Sequence, residues 1–116
     1  MKVLFICSLN IMRSPTAEAV FSEYPGIEAS SAGTSADADN PVSADQIEWA
    51  DVVVAMEEVH RLRLRKRFPD QLKGKKIVVL GIPDEYGYMN PELIDLLRQR
   101  ASRFLKGERA TIGELK

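Results

Sequence analysis

The chain reads as an α/β fold, a small three-layer arrangement in which a four-stranded parallel sheet is flanked by helices, with a tight loop after strand one. Three features predict it. Four short apolar runs alternate with segments of helical period. The run from Asp51 to Met56 is nearly continuous in apolar residues, as in strands buried on both faces of a parallel sheet. Ser14-Pro15 opens a helix a few residues after the first run, and parallel strands joined through helices take right-handed crossovers.

Strand one spans Lys2 to Ile6, and helix one runs from Pro15 to Ser22 with Ser14 as its cap and Ala17, Val20 and Phe21 as its apolar positions. Strand two is Ile27 to Ser31. Thr34 to Pro41 holds Ser, Ala, Asp, Asn and Pro without an apolar period and reads as a mobile loop. Ser43 with Gln46 three residues on makes a capping box for a short helix ending near Trp49, a residue read as packing. Strand three is Asp51 to Met56. Glu57 to Phe68 is a helix packing Val59 and Leu62, and it holds His60 with no evident partner. Gly74 breaks the chain before strand four, Lys76 to Leu80. Asn90-Pro91 opens the last helix, with Leu93, Leu97, Ala101 and Phe104 on one face. One domain accounts for residues 1–116, with the tail after Gly107 expected to fray.

Composition narrows the class. With 45% hydrophobic and 28% charged residues the chain is ordinary for a globular protein and far from a disordered one. Its one cysteine excludes an internal disulfide, so a reducing, cytoplasmic setting is expected. The Val3 to Ile6 run is too short for a signal peptide, and no run approaches a membrane span, so no membrane partner is expected. A net charge of −1 argues against a chain built to hold nucleic acid. The basic clusters Arg61, Arg63, Arg65, Lys66, Arg67 and Arg98, Arg100, Arg103, Lys106 read as solvated helix faces, with docking of an acidic or phosphorylated partner as the alternative.

Chemistry concentrates in Cys7-Ser8-Leu9-Asn10-Ile11-Met12-Arg13-Ser14. A turn between a strand end and a helix start aims its backbone N–H groups and the helix N-terminus at one small volume, which binds anions and favours a thiolate. Arg13 adds a planar cation matched to two phosphoryl oxygens. Ser8, Leu9, Asn10, Ile11, Met12 and Arg13 are therefore the expected phosphate-binding residues, with Asn10 suited to a left-handed backbone that curls the loop. By alternation the loops after Ser31, Met56 and Leu80 meet Cys7 at the same sheet edge, where ligands bind near a switch in strand order. That nominates Asp84 as an acid; from the residues alone it is equally a turn former in Pro83-Asp84-Glu85-Tyr86, with Glu85 as fallback.

Val3 through Ala19 resembles the signature of the low-molecular-weight protein tyrosine phosphatases. Ser31-Ala32-Gly33-Thr34 and Ala50 to Met56 resemble that family's second-strand exit and third strand. Ile82 to Leu93 is similar to the late loop of a shorter bacterial branch. The resemblance implies a protein tyrosine phosphatase, a metal-independent hydrolase of phosphomonoesters with no cofactor, acting on a phosphotyrosine protein or a small aryl phosphate. It implies a phosphocysteine intermediate on Cys7, phosphoryl binding by Arg13, and Asp84 as general acid and then base. It further implies support from the Ser14 hydroxyl at the sulfur and from Asn10, with Tyr86 as a wall against the substrate ring and Tyr88 as either wall or core.

Departures from the family pattern are Leu9 for Gly, Met12 for a second cysteine, and Gly81 where the short branch commonly has Asp. Met12 removes the neighbour that traps an oxidised nucleophile as a disulfide. Arginine phosphatases of the family tend to have Thr at the position of Ile11, so a phosphotyrosine-type ester is expected ahead of phosphoarginine. Arsenate reductases on this fold need further cysteines, and phosphocysteine carriers lack the arginine. The alternative from another class is a non-catalytic phosphate-binding module for a phosphorylated partner, using the same loop.

Overall fold

The structure is a computed structural model, and it describes residues 1–105. Strands β1 (Lys2–Cys7), β2 (Glu28–Gly33), β3 (Val52–Ala55) and β4 (Lys76–Val79) alternate with helices α1 (Arg13–Phe21), α2 (Ala44–Trp49), α3 (Glu58–Arg67), α4 (Pro69–Leu72) and α5 (Pro91–Ser102). All strand pairs are parallel and the order is β2-β1-β3-β4, so the chain leaves β1 to one side and returns to its other side. The switch in strand order therefore falls at the end of β1, where Cys7 stands in register with Gly33. This is the three-layer α/β fold expected.

Strand alternation builds two cores. Val3, Phe5 and Cys7 face a cluster that includes Ala17, Val20 and Phe21 of α1 and Leu93, Leu97 and Ala101 of α5. Leu4 and Ile6 face the opposite layer, with Ile47 of α2, Leu64 of α3 and Leu72 of α4. With both faces covered, Val3 to Ile6 and Val53 to Met56 are wholly buried, which is why these runs read as continuous rather than alternating.

Several boundaries differ from the sequence reading, each for a visible reason. Helix α1 begins at Arg13, and Ser14 is inside it rather than its cap, because the Ser14 hydroxyl is turned to the Cys7 sulfur. In α3 the buried positions are His60 and Leu64, while Val59 and Leu62 are 41% and 54% exposed; the expected face was one step out of phase in a helix with basic residues on every side. Phe104 follows α5 in a turn and is half-buried, whereas Leu105 is fully buried. The predicted capping box of α2 is present, with Gln46 N donating to Ser43 Oγ at 3.3 Å and Ser43 N to Gln46 Oε1 at 3.0 Å.

The stretch expected to be a mobile loop is instead a strap. Thr34 N donates to Cys7 O at 2.9 Å, Ser35 N to Ser8 O at 3.0 Å and Asp39 N to Leu9 O at 3.0 Å. Backbone pairing of this kind needs no apolar period. It does need close approach: a Cβ on Gly33 would lie 2.4 Å from Ser8 O and 2.6 Å from Ala38 Cβ. Of the basic clusters, Arg63 and Arg67 lean on Thr34 from α3, while Lys106 and the tail after Gly107 lie outside the described residues.

Candidate active site

The eight residues from Cys7 to Ser14 curl around a sulfur. Cys7 is 3% exposed; Asn10 N donates to its Sγ at 3.3 Å, and Ser14 Oγ lies 3.0 Å from it. The curl is possible because Asn10 adopts φ 58°, a left-handed backbone that asparagine tolerates better than most residues. Its side chain is the internal brace. Asn10 Nδ2 donates to Ser14 Oγ at 2.9 Å and to Ser31 Oγ at 3.0 Å, and Ser31 Oγ in turn donates to Glu18 Oε1 at 2.5 Å. Since the amide hydrogen arrives at Ser14 Oγ, the serine's own proton is free to point at the sulfur.

Arg13 is 2% exposed and fixed at one corner. Nη1 donates to Glu57 Oε1 at 2.6 Å and to Ile82 O at 2.8 Å, which uses both of its hydrogens. Neither Nε nor Nη2 has a hydrogen bond among the described residues, so the edge of the guanidinium that can hold two oxygens side by side is open. Asp84 Oδ1 stands 3.8 Å from Nε.

Cys7, Leu9, Ile11, Met12, Arg13 and Asp84 line one cleft of about 80 Å³. The apolar side chains of Leu9, Ile11 and Met12, each more than two-fifths exposed, form its rim. Asp84 reaches the cleft, and Glu85 is not among the described residues lining it. Nor is Tyr86, which packs half-buried against the α1/α5 core, while Tyr88 is 57% exposed. Tyr86, expected as a wall, thus packs on the core in this structure, and Tyr88, expected as either wall or core, is exposed and also not among the described residues lining the cleft. Gly81 is not among the described residues lining the cleft, and a Cβ there would meet Arg100 Nη1 at 3.7 Å. Ser8 contributes its backbone to the loop, and its hydroxyl is taken up elsewhere.

Two site residues were not singled out from sequence. Glu57 grips Arg13, and His60 is fully buried with Nε2 2.9 Å from Ser8 Oγ. His60 Nδ1 accepts from Glu57 N at 3.0 Å. Burial, and after it the Arg13 charge, push the His60 pKa down to about 4, so the ring is neutral near pH 7. Both residues follow strand three, on the edge where alternation already placed the loop after Met56; that topology was the signal available.

Residues 2–49 match the family model for low molecular weight phosphotyrosine protein phosphatase. A protein tyrosine phosphatase from Entamoeba histolytica superposes with a TM-score of 0.74 at 27% identity, over 90% of this chain and 93% of that one. The fold is that of the low molecular weight phosphotyrosine protein phosphatases. An arginine phosphatase of this fold, YwlE from Geobacillus stearothermophilus, gives a TM-score of 0.72 at 25% identity, over 95% of this chain and 96% of that one. The tyrosine phosphatase Wzb from Escherichia coli K30, solved in complex with phosphate, gives 0.72 at 23% identity, over 89% and 94%, a likeness of fold. No curated protein matches the sequence. The shared amino-terminal pattern and the shared phosphatase fold support a phosphatase.

Proposed function

We propose that this chain is a metal-independent, cysteine-dependent phosphatase of phosphomonoesters, with phosphotyrosine-type esters preferred. One observation carries the reading: a buried cysteine sulfur, an arginine whose Nε and Nη2 make no hydrogen bond among the described residues, and a carboxylate all line one cleft. The structurally similar Wzb, solved in complex with phosphate, is consistent with a phosphoryl site on this fold.

In the first step the Cys7 thiolate attacks phosphorus opposite the ester oxygen. The phosphoryl oxygens are held by the loop's backbone N–H groups and the Nε/Nη2 edge of Arg13, donors already in place before charge moves. Asp84, protonated, gives its hydrogen to the departing oxygen. In the second step the Asp84 carboxylate takes a proton from water, which attacks the phosphocysteine. As the P–S bond breaks, charge returns to Sγ, where Ser14 Oγ and Asn10 N donate to it. Among the described residues Asp84 lines the cleft and position 81 does not, which supports Asp84 as the acid.

The apolar rim of Leu9, Ile11 and Met12 suits an aryl ring better than a charged guanidinium, which favours a phosphotyrosine peptide over a phosphoarginine peptide. Rapid acid quench of the protein during turnover tests the central step. Mass analysis should find one phosphoryl group on the peptide bearing Cys7, more of it in Asp84→Asn, where water activation is impaired. A phosphoryl group on another residue, or none in either protein while turnover proceeds, would sink the assignment. Equal kcat/KM on the two phosphopeptides would sink the preference.

A further inference from the structure

The phosphate loop is held at both ends by one turn of a helix far away in sequence. At its carboxyl end Arg13 is gripped by Glu57; at its amino end Ser8, the residue after the nucleophile, is bonded to His60. Glu57 and His60 are three residues apart in the first turn of α3, and they reach residues five apart in the loop.

The ring's tautomer follows from its partners. His60 Nδ1 faces the Glu57 backbone N–H, a group that can only donate, so Nδ1 carries no hydrogen. In the neutral imidazole the hydrogen is then on Nε2, and Ser8 Oγ accepts it. A serine beside a histidine invites comparison with a nucleophilic pair, but a ring that donates to the hydroxyl cannot take its proton. His60 is not a base here. Its ring is also fully buried, which leaves little room for another rotamer.

We infer that His60 is a positioning residue for catalysis, a buried donor on α3 that fixes Ser8 and with it the amino-terminal half of the phosphate cradle. The inference rests on the phosphatase reading for its kinetic readout only. Its effect runs through one hydrogen bond, His60 Nε2–H to Ser8 Oγ. Without that bond the Ser8 side chain is free to rotate, and the amino-terminal half of the loop keeps only the strap's hold, Thr34 N on Cys7 O and Ser35 N on Ser8 O, while Arg13 stays in the hand of Glu57.

Two substitutions separate this role from simple support of the fold. His60→Asn keeps an acceptor near the Nδ1 position for the Glu57 N–H but is too short to reach Ser8. His60→Gln carries an amide N–H out to the Nε2 position. The expected result is that His60→Asn keeps a melting temperature near that of the parent, yet loses roughly tenfold or more in kcat/KM on p-nitrophenyl phosphate. His60→Gln restores most of that activity, and Ser8→Ala reproduces the loss. Adding His60→Asn to Ser8→Ala then changes kcat/KM by less than about twofold, because the two act through the same bond. A parent-like kcat/KM in His60→Asn, or losses that multiply in the double variant, overturns the inference.

Protection of Cys7 from iodoacetate by inorganic phosphate gives a readout that does not need turnover. His60→Asn should require about tenfold more phosphate for half-protection than the parent. If the parent is protected but never turns over, hydrolysis fails as the function while weaker protection in His60→Asn still upholds the positioning role. Equal protection in both proteins overturns it.

Discussion

Arg13 commits one nitrogen to the protein and leaves its Nε and Nη2 without a hydrogen bond among the described residues, and the phosphoryl-binding role proposed for that edge predicts separate outcomes for its neighbours. Arg13→Lys keeps a charge but cannot both meet Glu57 and present two parallel donors, so kcat/KM should fall roughly 10²-fold or more while the fold persists. Glu57→Gln leaves the arginine less firmly held. It should raise the inhibition constant of inorganic phosphate more than it lowers the melting temperature, as measured side by side. Asp84 lies on the cleft, and the role of acid proposed for it predicts a dependence on the leaving group. Asp84→Asn should cost roughly 10²-fold on phenyl phosphate, whose departing oxygen needs a proton, and markedly less on p-nitrophenyl phosphate, whose phenolate leaves unaided. Equal costs on the two esters would assign the acid elsewhere. Cys7, Arg13, Asn10 and Ser14 were legible because one short segment holds them, and turn and helix-start chemistry are written locally. Glu57 and His60 were not, since 44 residues separate Glu57 from Arg13 and 52 separate His60 from Ser8. Neither spacing has a sequence signature. The wall role that the resemblance implies for Tyr86 has no local signature either, and in the structure that ring packs on the core.

At the scale of elements, the strap from Thr34 to Pro41 decides whether the loop has a rigid floor. Three of its backbone N–H groups meet three successive carbonyls, of Cys7, Ser8 and Leu9, and Gly33 lets the two segments come that close. Gly33→Ala places a methyl group against Ser8 O and Ala38, backbone and a buried side chain with nowhere to move. It should lower stability by about 1–3 kcal/mol in urea unfolding and depress activity beyond the share unfolded. A stable Gly33→Ala protein with parent activity would mean the strap is not the floor of the site. The helices and strands themselves were readable: capping residues mark α2 and α5, and doubly buried runs mark β1 and β3. What failed to read was the phase of α3, where the apolar residues Val59 and Leu62 face out. The buried side is made of His60 and Leu64, so a polar residue, held by two hydrogen bonds, occupies a core position. The short helix α4 also went unforeseen, its single turn too brief to show a period.

For the whole molecule, strand order places everything else. Because β1 lies between β2 and β3, its carboxyl end is the switch point, and loops from both sides of the sheet converge on Cys7. The same convergence buries a histidine beside an arginine, and stability should report it. An unfolded histidine takes a proton at pH about 6.5, whereas His60 in the fold does so only near pH 4. Between these values the unfolded chain binds more protons, so stability rises as pH goes from about 4 to 6.5 and is level above. The shift corresponds to a change on the order of 3 kcal/mol, and urea unfolding of parent and His60→Asn across that window isolates it, with the variant showing the flatter profile. A parent profile no steeper than the variant's would mean the ring titrates normally. The most direct measurement for the molecule as an enzyme is steady-state hydrolysis of p-nitrophenyl phosphate under reducing conditions with a metal chelator present, parent against Cys7→Ser. Turnover by the parent that the chelator leaves intact and Cys7→Ser abolishes is the predicted result. Turnover that survives in Cys7→Ser, or a parent that binds phosphate and turns over nothing, would contradict it, the latter in favour of a phosphate-binding module.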